Sequence, residues 1–219
     1  MEYTLTVNIC IAIGVIFSYL MGSVNFAIII TKIFAHKDIR DFGSGNAGLT
    51  NVMRVVGKGP ALLTLIGDFS KGIISVVFVR ILLLLVCSSK GVVLADYLCV
   101  YAALLGHIFP IFYGFKGGKG ILVTFGTLVV LSPLAALICL AVFVIIVFIS
   151  KYVSLGSIIA AICFPISIVL MRLAFSPHKI DLFEVGLTLP IVALIIFMHR
   201  QNIKRLVNHQ ENKLSFHKK

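Results

Sequence analysis

Six near-unbroken apolar runs, at 4–31, 59–87, 92–114, 121–150, 153–174 and 183–198, divide this chain, and its polar residues gather in short segments between them. A membrane helix needs about 20 apolar residues, so the pattern predicts transmembrane helices with no soluble domain between them. The fold class is all-α and polytopic, with residues 1–219 forming a single integral membrane domain.

The run at 121–150 is too long to be one span. Its thirty residues make about 45 Å of helix at about 1.5 Å each, against a hydrocarbon core of about 30 Å. It carries "LSPLA", with Pro133 near its middle, and splitting it at Ser132-Pro133 gives seven membrane segments, one short or broken near Pro133. The first piece, 121–131, covers only about 17 Å and cannot span alone. Short or broken membrane helices often mark binding sites, because their free ends turn polar backbone toward a ligand. Here the free N-terminus abuts "KGGKG". The first run lacks a basic leader and an A-x-A site, so it is expected to be retained rather than cleaved.

Composition agrees with this picture. The chain is 60% hydrophobic with a mean hydropathy of +1.12, more apolar surface than a soluble domain of its size could hide. Cys10, Cys87, Cys99, Cys139 and Cys163 lie in or at the ends of apolar runs without a C-x-x-C pair, so they read as small packing residues, not as metal ligands or disulfides.

The net charge of +11 raises the question of nucleic acid, but in a membrane chain it first asks which face carries it. With seven segments, Lys32, Lys37, Arg40, Arg54 and Lys58 share a face with Lys116, Lys119 and Lys151 and with the tail residues Arg200, Lys204, Arg205, Lys213, Lys218 and Lys219. Lys90 and Lys179 lie opposite, and Lys71, Arg80 and Arg172 fall inside runs. Positively charged loops stay inside, so the basic face is expected to be cytoplasmic and the N-terminus outside. Six plain helices would erase this asymmetry. No nucleic-acid partner is expected.

Three segments on that face hold the candidate chemistry: 32–58, 114–120 and 199–219. In "GFKGGKG" (114–120) glycines can turn backbone N–H groups inward as an anion nest, lysines add charge, and a helix starting at Gly120 would aim its N-terminal amides at the same point. A basic turn with solvated lysines fits the spacing as well, and the loop is not a Walker A sequence, because Lys119 is followed by Gly120. In "DFGSGNAGLTNVMRVVGKG" (41–59), small polar residues among glycines suit close approach to a ligand, and Arg54 offers a fork for phosphate. A helix-capping turn is the alternative there. In the tail, His199, Asn202 and Arg205 recur at steps of three and can share a helical face, with histidine able to exchange protons near neutrality. A basic interfacial helix reads the same residues without chemistry.

Asp68 and Lys71, three apart inside a span, read as a structural pair or as functional charges, and His107 as a satisfied core group or a residue with a direct role. His36 and Asp41 match H-x-x-x-x-D, but the companion F-P-E-G-T block is absent. A transporter of phosphorylated metabolites is the competing class. Its site would lie near the midplane, whereas the polar groups here collect on one face.

The blocks "GSGNAGLTNVMRVVGK", "GHIFPIFYGFKGGKG", "KYVSLGSI" and "HRQNIKRLVNHQENK", taken in order and spacing over nearly the whole chain, resemble the bacterial acyl-phosphate:glycerol-3-phosphate acyltransferases of the PlsY type. The resemblance implies a multi-pass enzyme of the bacterial cytoplasmic (inner) membrane. It would transfer a fatty acyl group from acyl phosphate to the 1-hydroxyl of sn-glycerol 3-phosphate, giving lysophosphatidic acid and inorganic phosphate early in phospholipid biosynthesis. Neither acyl-CoA nor acyl carrier protein would be the donor, no cofactor or metal would be needed, and an acyl-phosphate-producing enzyme would be a functional partner. Carried over by position, the resemblance implies catalytic roles for His199, Ser44 and Asn202. It implies substrate binding by Asn46, Thr50, Asn51, Arg54, Lys116, Gly117, Gly118, Lys119, Ser154, Arg205 and Glu211. Two departures stand out. His209 occupies a position where that family commonly has glycine, and "GSVN" replaces the frequent "GSIP".

Overall fold

The computed structural model describes residues 2–87, 92–175 and 182–214 and is all-helical there. Lys90, Lys179, Lys218 and Lys219 lie outside the described residues, as does the side chain of Cys87.

Ten α-helices follow one another among the described residues: α1 (Glu2–Ser23), α2 (Phe26–Ala35), α3 (Leu49–Val55), α4 (Lys58–Cys87), α5 (Val93–Ile108), α6 (Ile121–Leu131), α7 (Pro133–Ser150), α8 (Val153–Phe175), α9 (Leu182–Met198) and α10 (Arg200–Val207). Five stretches are long and apolar enough to cross a membrane, and a sixth follows if α9 and α10, bent by 57° from each other, count as one. α6 is apolar but shorter. Large apolar side chains lie exposed along the helices, for example Leu5, Ile9, Ile13, Ile16 and Leu20 down one face of α1. That is a lipid-facing stripe, so the chain is a multi-pass membrane protein.

The break expected at Ser132-Pro133 is present. α6 stops at Leu131, Ser132 is extended (φ −153°, ψ 90°), and Pro133 opens α7, where its missing N–H costs nothing. The first run differs from expectation, since it is not one helix. Asn25 is extended and its side-chain oxygen accepts from the Ile28 N–H, capping α2. The expected "GSIP" proline would interrupt the helix at this place too, so the departure to asparagine preserves the break by a different route.

The chain divides into two compact units, Met1–Leu131 and Ser132–Lys219. In the first, α4 packs against α1, α5 and α6, and α1 also packs along α5. Small residues permit this closeness. A Cβ on Gly22 would collide with the Ala103 carbonyl and one on Gly106 with the Tyr19 carbonyl, while Gly72 and Gly126 stand in the same relation across α4 and α6. In the second unit α8 packs between α7 and α9, and α10 touches both α8 and α9. Cys10, Cys99 and Cys139 are buried free thiols, in keeping with packing roles.

Candidate functional site

Polar structure in the first unit is built around the α1–α2 break. Interrupting a helix strands carbonyl groups, and the buried Lys71 of α4 collects them: Nζ donates to Gly22 O at 2.9 Å and Val24 O at 2.7 Å. Asp68, one turn earlier, lies 2.9 Å from the ammonium, and His107 Nδ1 on α5 lies at the same distance. With the ammonium donating, Nδ1 is the acceptor and the ring proton belongs on Nε2. Asp68, Lys71 and His107 therefore form a buried polar cluster beside the α1–α2 break.

His107 also seats the Gly-Lys loop. Gly117 N donates to Ile108 O at 3.0 Å and Gly118 N to His107 O at 3.1 Å, so the loop folds back over the end of α5 and satisfies its last carbonyls. A Cβ on Gly118 would strike His107 Nε2 on one side and the Ala47 carbonyl on the other. The amides of Gly117 and Gly118, expected to line an anion nest, thus bond to the end of α5, and at both positions neighbouring atoms of α5 occupy the space a side chain would need. Lys116 is exposed, Lys119 is partly exposed, and both lie just before α6. Gly120, at φ +83°, turns the chain into that helix, whose first amides have no intrahelical acceptor.

Loop 36–48 is organised from within by Asn51. Its Nδ2 donates to the carbonyls of Ile39 (3.1 Å), Phe42 (2.9 Å) and Asn46 (3.1 Å), while Oδ1 accepts from Ser44 N at 3.0 Å. The side chain is buried and holds the loop from within, a scaffold role beside the expected one in substrate binding. Around it Ser44 and Arg54 are exposed, and Asn46 and Thr50 are partly exposed. The structure thus brings Ser44, Asn46, Thr50 and Arg54 to the rim of one loop.

Sequence reasoning overlooked Arg40 beyond its charge. Its guanidinium is held by Asp38 on one edge and donates from Nη1 to Tyr113 O (2.7 Å) and Lys116 O (3.2 Å). Loop 36–48 and the Gly-Lys loop are thereby joined. Only the Asp-x-Arg spacing marks it in the sequence.

In the second unit the expected tail residues converge on one carboxylate. Glu211 Oε1 accepts from Ser154 Oγ (2.9 Å) and Asn202 Nδ2 (2.7 Å), and Oε2 accepts from Arg205 Nε (2.7 Å). Leu214 N donates to Lys151 O at 2.7 Å, fastening the tail to the α7–α8 turn. The turn after α10 needs a left-handed residue, and His209 supplies it at φ 56°. Glycine would adopt that conformation freely, which is the physical meaning of the departure at this position.

Partial burial pushes the Glu211 carboxyl up, but hydrogen bonds from Arg205, Asn202 and Ser154, with the Arg205 charge, outweigh it and hold the group below its ordinary 4.5. Glu211, with Ser154, thus forms a latch that holds Asn202 and Arg205. Of the guanidinium's nitrogens, Nε is the one committed to the latch.

His199 sits at the α9–α10 bend, 2% exposed, with Nδ1 2.8 Å from Ile195 O. A carbonyl only accepts, so Nδ1 carries the proton and Nε2 is the basic nitrogen of the neutral ring. A fixed tautomer of this kind is what a general base requires.

The family model described as Glycerol-3-phosphate acyltransferase matches residues 12–209. A "Glycerol-3-phosphate acyltransferase" of Neisseria meningitidis is 41% identical over 197 residues, covering 90% of this chain and 94% of that protein. A "Glycerol-3-phosphate acyltransferase 2" of Bacillus anthracis is 42% identical over 199 residues, covering 91% and 96%. Among solved structures, PlsY (YgiH), an integral membrane glycerol 3-phosphate acyltransferase in its glycerol 3-phosphate form, superposes with a TM-score of 0.78 at 35% identity, over 94% of this chain and 96% of that one. Its lysophosphatidic acid form gives 0.76 at 34%, over 94% and 95%. With the family model matched over residues 12–209 and relatives about 40% identical over nine tenths of the chain, this chain belongs to the glycerol-3-phosphate acyltransferase family.

Proposed function

We propose that the chain transfers a fatty acyl group from acyl phosphate to the 1-hydroxyl of sn-glycerol 3-phosphate, releasing lysophosphatidic acid and inorganic phosphate. The observation that carries this reading is the similarity, over 94% of the chain, to a protein solved in glycerol 3-phosphate and lysophosphatidic acid forms. The setting is a bacterial cytoplasmic membrane. Seven segments form one membrane domain there, the N-terminus is outside, and an acyl-phosphate-producing enzyme supplies the donor.

Acyl phosphate is an activated mixed anhydride, so alignment is the main task, worth about 7–11 kcal/mol in favourable cases. Lys116 and Lys119, with the N-terminal amides of α6, take the donor phosphate. Arg54 holds the acceptor's phosphate, and Ser44, Asn46 and Thr50 supply neutral hydrogen bonds. The glycerol hydroxyl oxygen attacks the acyl carbon, the C–O bond to phosphorus breaks, and phosphate leaves with that electron pair. His199 Nε2 receives the hydroxyl proton. Asn202 and Arg205, held by Glu211, are assigned to acceptor binding.

Purified protein supplied with palmitoyl phosphate and glycerol 3-phosphate is expected to release phosphate and form lysophosphatidate in equal amounts. Product from acyl-CoA but not from palmitoyl phosphate overturns the donor. Donor-independent uptake of glycerol 3-phosphate into proteoliposomes, without product, overturns the enzyme reading. Lys119→Ala is expected to lower kcat/KM by about 10²–10³, the scale of one lost electrostatic contact to developing charge. If His199→Ala retains kcat and raises only KM, the base is the departing phosphate rather than the imidazole.

A further inference from the structure

Two consecutive residues of the Gly-Lys loop, Gly114 at φ +64° and Phe115 at φ +59°, are left-handed. That conformation is costly for phenylalanine, whose Cβ crowds the following carbonyl. Something must therefore hold the turn. From inside, the Tyr113 and Phe115 amides both donate to Pro110 O, at 3.1 and 3.0 Å. From outside, the carbonyls of Tyr113 and Lys116, which bracket the two left-handed residues, both receive Arg40 Nη1.

The other edge of the guanidinium is gripped by Asp38, with Nε 3.0 Å from Oδ1 and Nη2 2.7 Å from Oδ2. Asp38 is itself fixed, because Oδ1 also accepts the Arg40 backbone N–H at 2.9 Å and caps the short turn Ile39–Asp41. The carbonyl of Ile39, inside that turn, is in turn bound by Asn51. The line of hydrogen bonds thus runs from loop 36–48, which bears Ser44, to the loop bearing Lys116 and Lys119.

Arg40 is poorly placed to bind phosphate. Both Nη1 hydrogens are engaged by carbonyls, and the opposite edge and the charge are taken up by a carboxylate. A lysine could not replace it, since one ammonium nitrogen cannot chelate a carboxylate and span two carbonyls at once. We propose that Arg40, locked by Asp38, is a positioning residue for acyl transfer: a strap that sets the spacing between the acceptor-side loop 36–48 and the donor-side loop 113–120. This rests on the acyltransferase reading above.

The test compares wild type, Arg40→Lys and Arg40→Gln in lipid nanodiscs by hydrogen–deuterium exchange and by steady-state kinetics with palmitoyl phosphate and glycerol 3-phosphate. Both variants are expected to exchange faster at 113–118, with α4 and α5 still protected. Their kcat is expected to fall at least about tenfold, the scale of small misplacements, with Lys no better than Gln. Exchange that stays at the wild-type rate overturns the strap. So does an Arg40→Lys variant with wild-type kcat, since that outcome marks a purely electrostatic role. If the wild type itself makes no lysophosphatidate, the enzyme reading fails, and exchange alone decides whether the strap exists. Should the Arg40 variants not fold, Asp38→Asn, which frees the guanidinium without removing it, is expected to show the same pattern more weakly, and wild-type behaviour there overturns the proposal.

Discussion

Glu211 shows how one side chain fixes several others. Three donors from two helices, α8 and α10, meet on its two oxygens, and the ionised form is favoured in the fold because the carboxyl lies below its ordinary 4.5. The sign follows directly: the contribution is complete above the ordinary value and disappears as pH falls through the lowered one. Acid inactivation by release of the tail is therefore expected only below about pH 4.5. Glu211→Gln removes the charge at every pH, so that acid step is expected to vanish while neutral-pH activity falls, chiefly through kcat, with Asn202 and Arg205 no longer held. A pH titration of activity for both proteins, with a tail fluorophore reporting release, checks this. Sequence reading placed these residues near one another in function but could not see that Glu211 is the hub. Its partners lie 57, 9 and 6 positions away, and only the return of the tail over the α7–α8 turn brings them together.

Among helices, the decisive feature is close approach through glycine. Gly126 of α6 faces the Phe69 carbonyl of α4, and Gly72 of α4 faces the Val123 carbonyl of α6. In lipid there is little hydrophobic force between helices, so such backbone contact supplies much of the association. Gly126→Leu is expected to push α6 off α4, lowering the thermal midpoint and activity together, whereas Ala at an exposed glycine such as Gly186, which has open space around its Cα, changes neither. Thermal unfolding in detergent distinguishes the two. The Pro133 break was legible because a thirty-residue apolar run is too long and proline cannot sit inside a helix without loss. The Val24-Asn25 break was not, since asparagine only ends a helix when its surroundings let it cap the next one, and here Lys71 from α4 takes the stranded carbonyls.

At the scale of the molecule, the charge bias and the broken run make a topological prediction. Single cysteines at Lys151 and in the tail are expected to be labelled only from the cytoplasmic side of inverted or permeabilised membranes, and one at Lys90 from outside. An externally labelled tail overturns the seven-segment count. What the sequence determined alone was the class of protein, the helical segments, the family and the polar blocks, because these follow from run length, charge placement and local order along the chain. Which polar groups pair with one another was decided by tertiary structure. Asn51 gathers its own loop, Gly117 and Gly118 bond to the end of α5, and Ser154 meets Glu211. Arg40, read in one dimension as a loop charge, becomes the link between two loops 73 residues apart in sequence. A hydrogen-bonding group shows its chemistry in the sequence, but its partner is chosen in space.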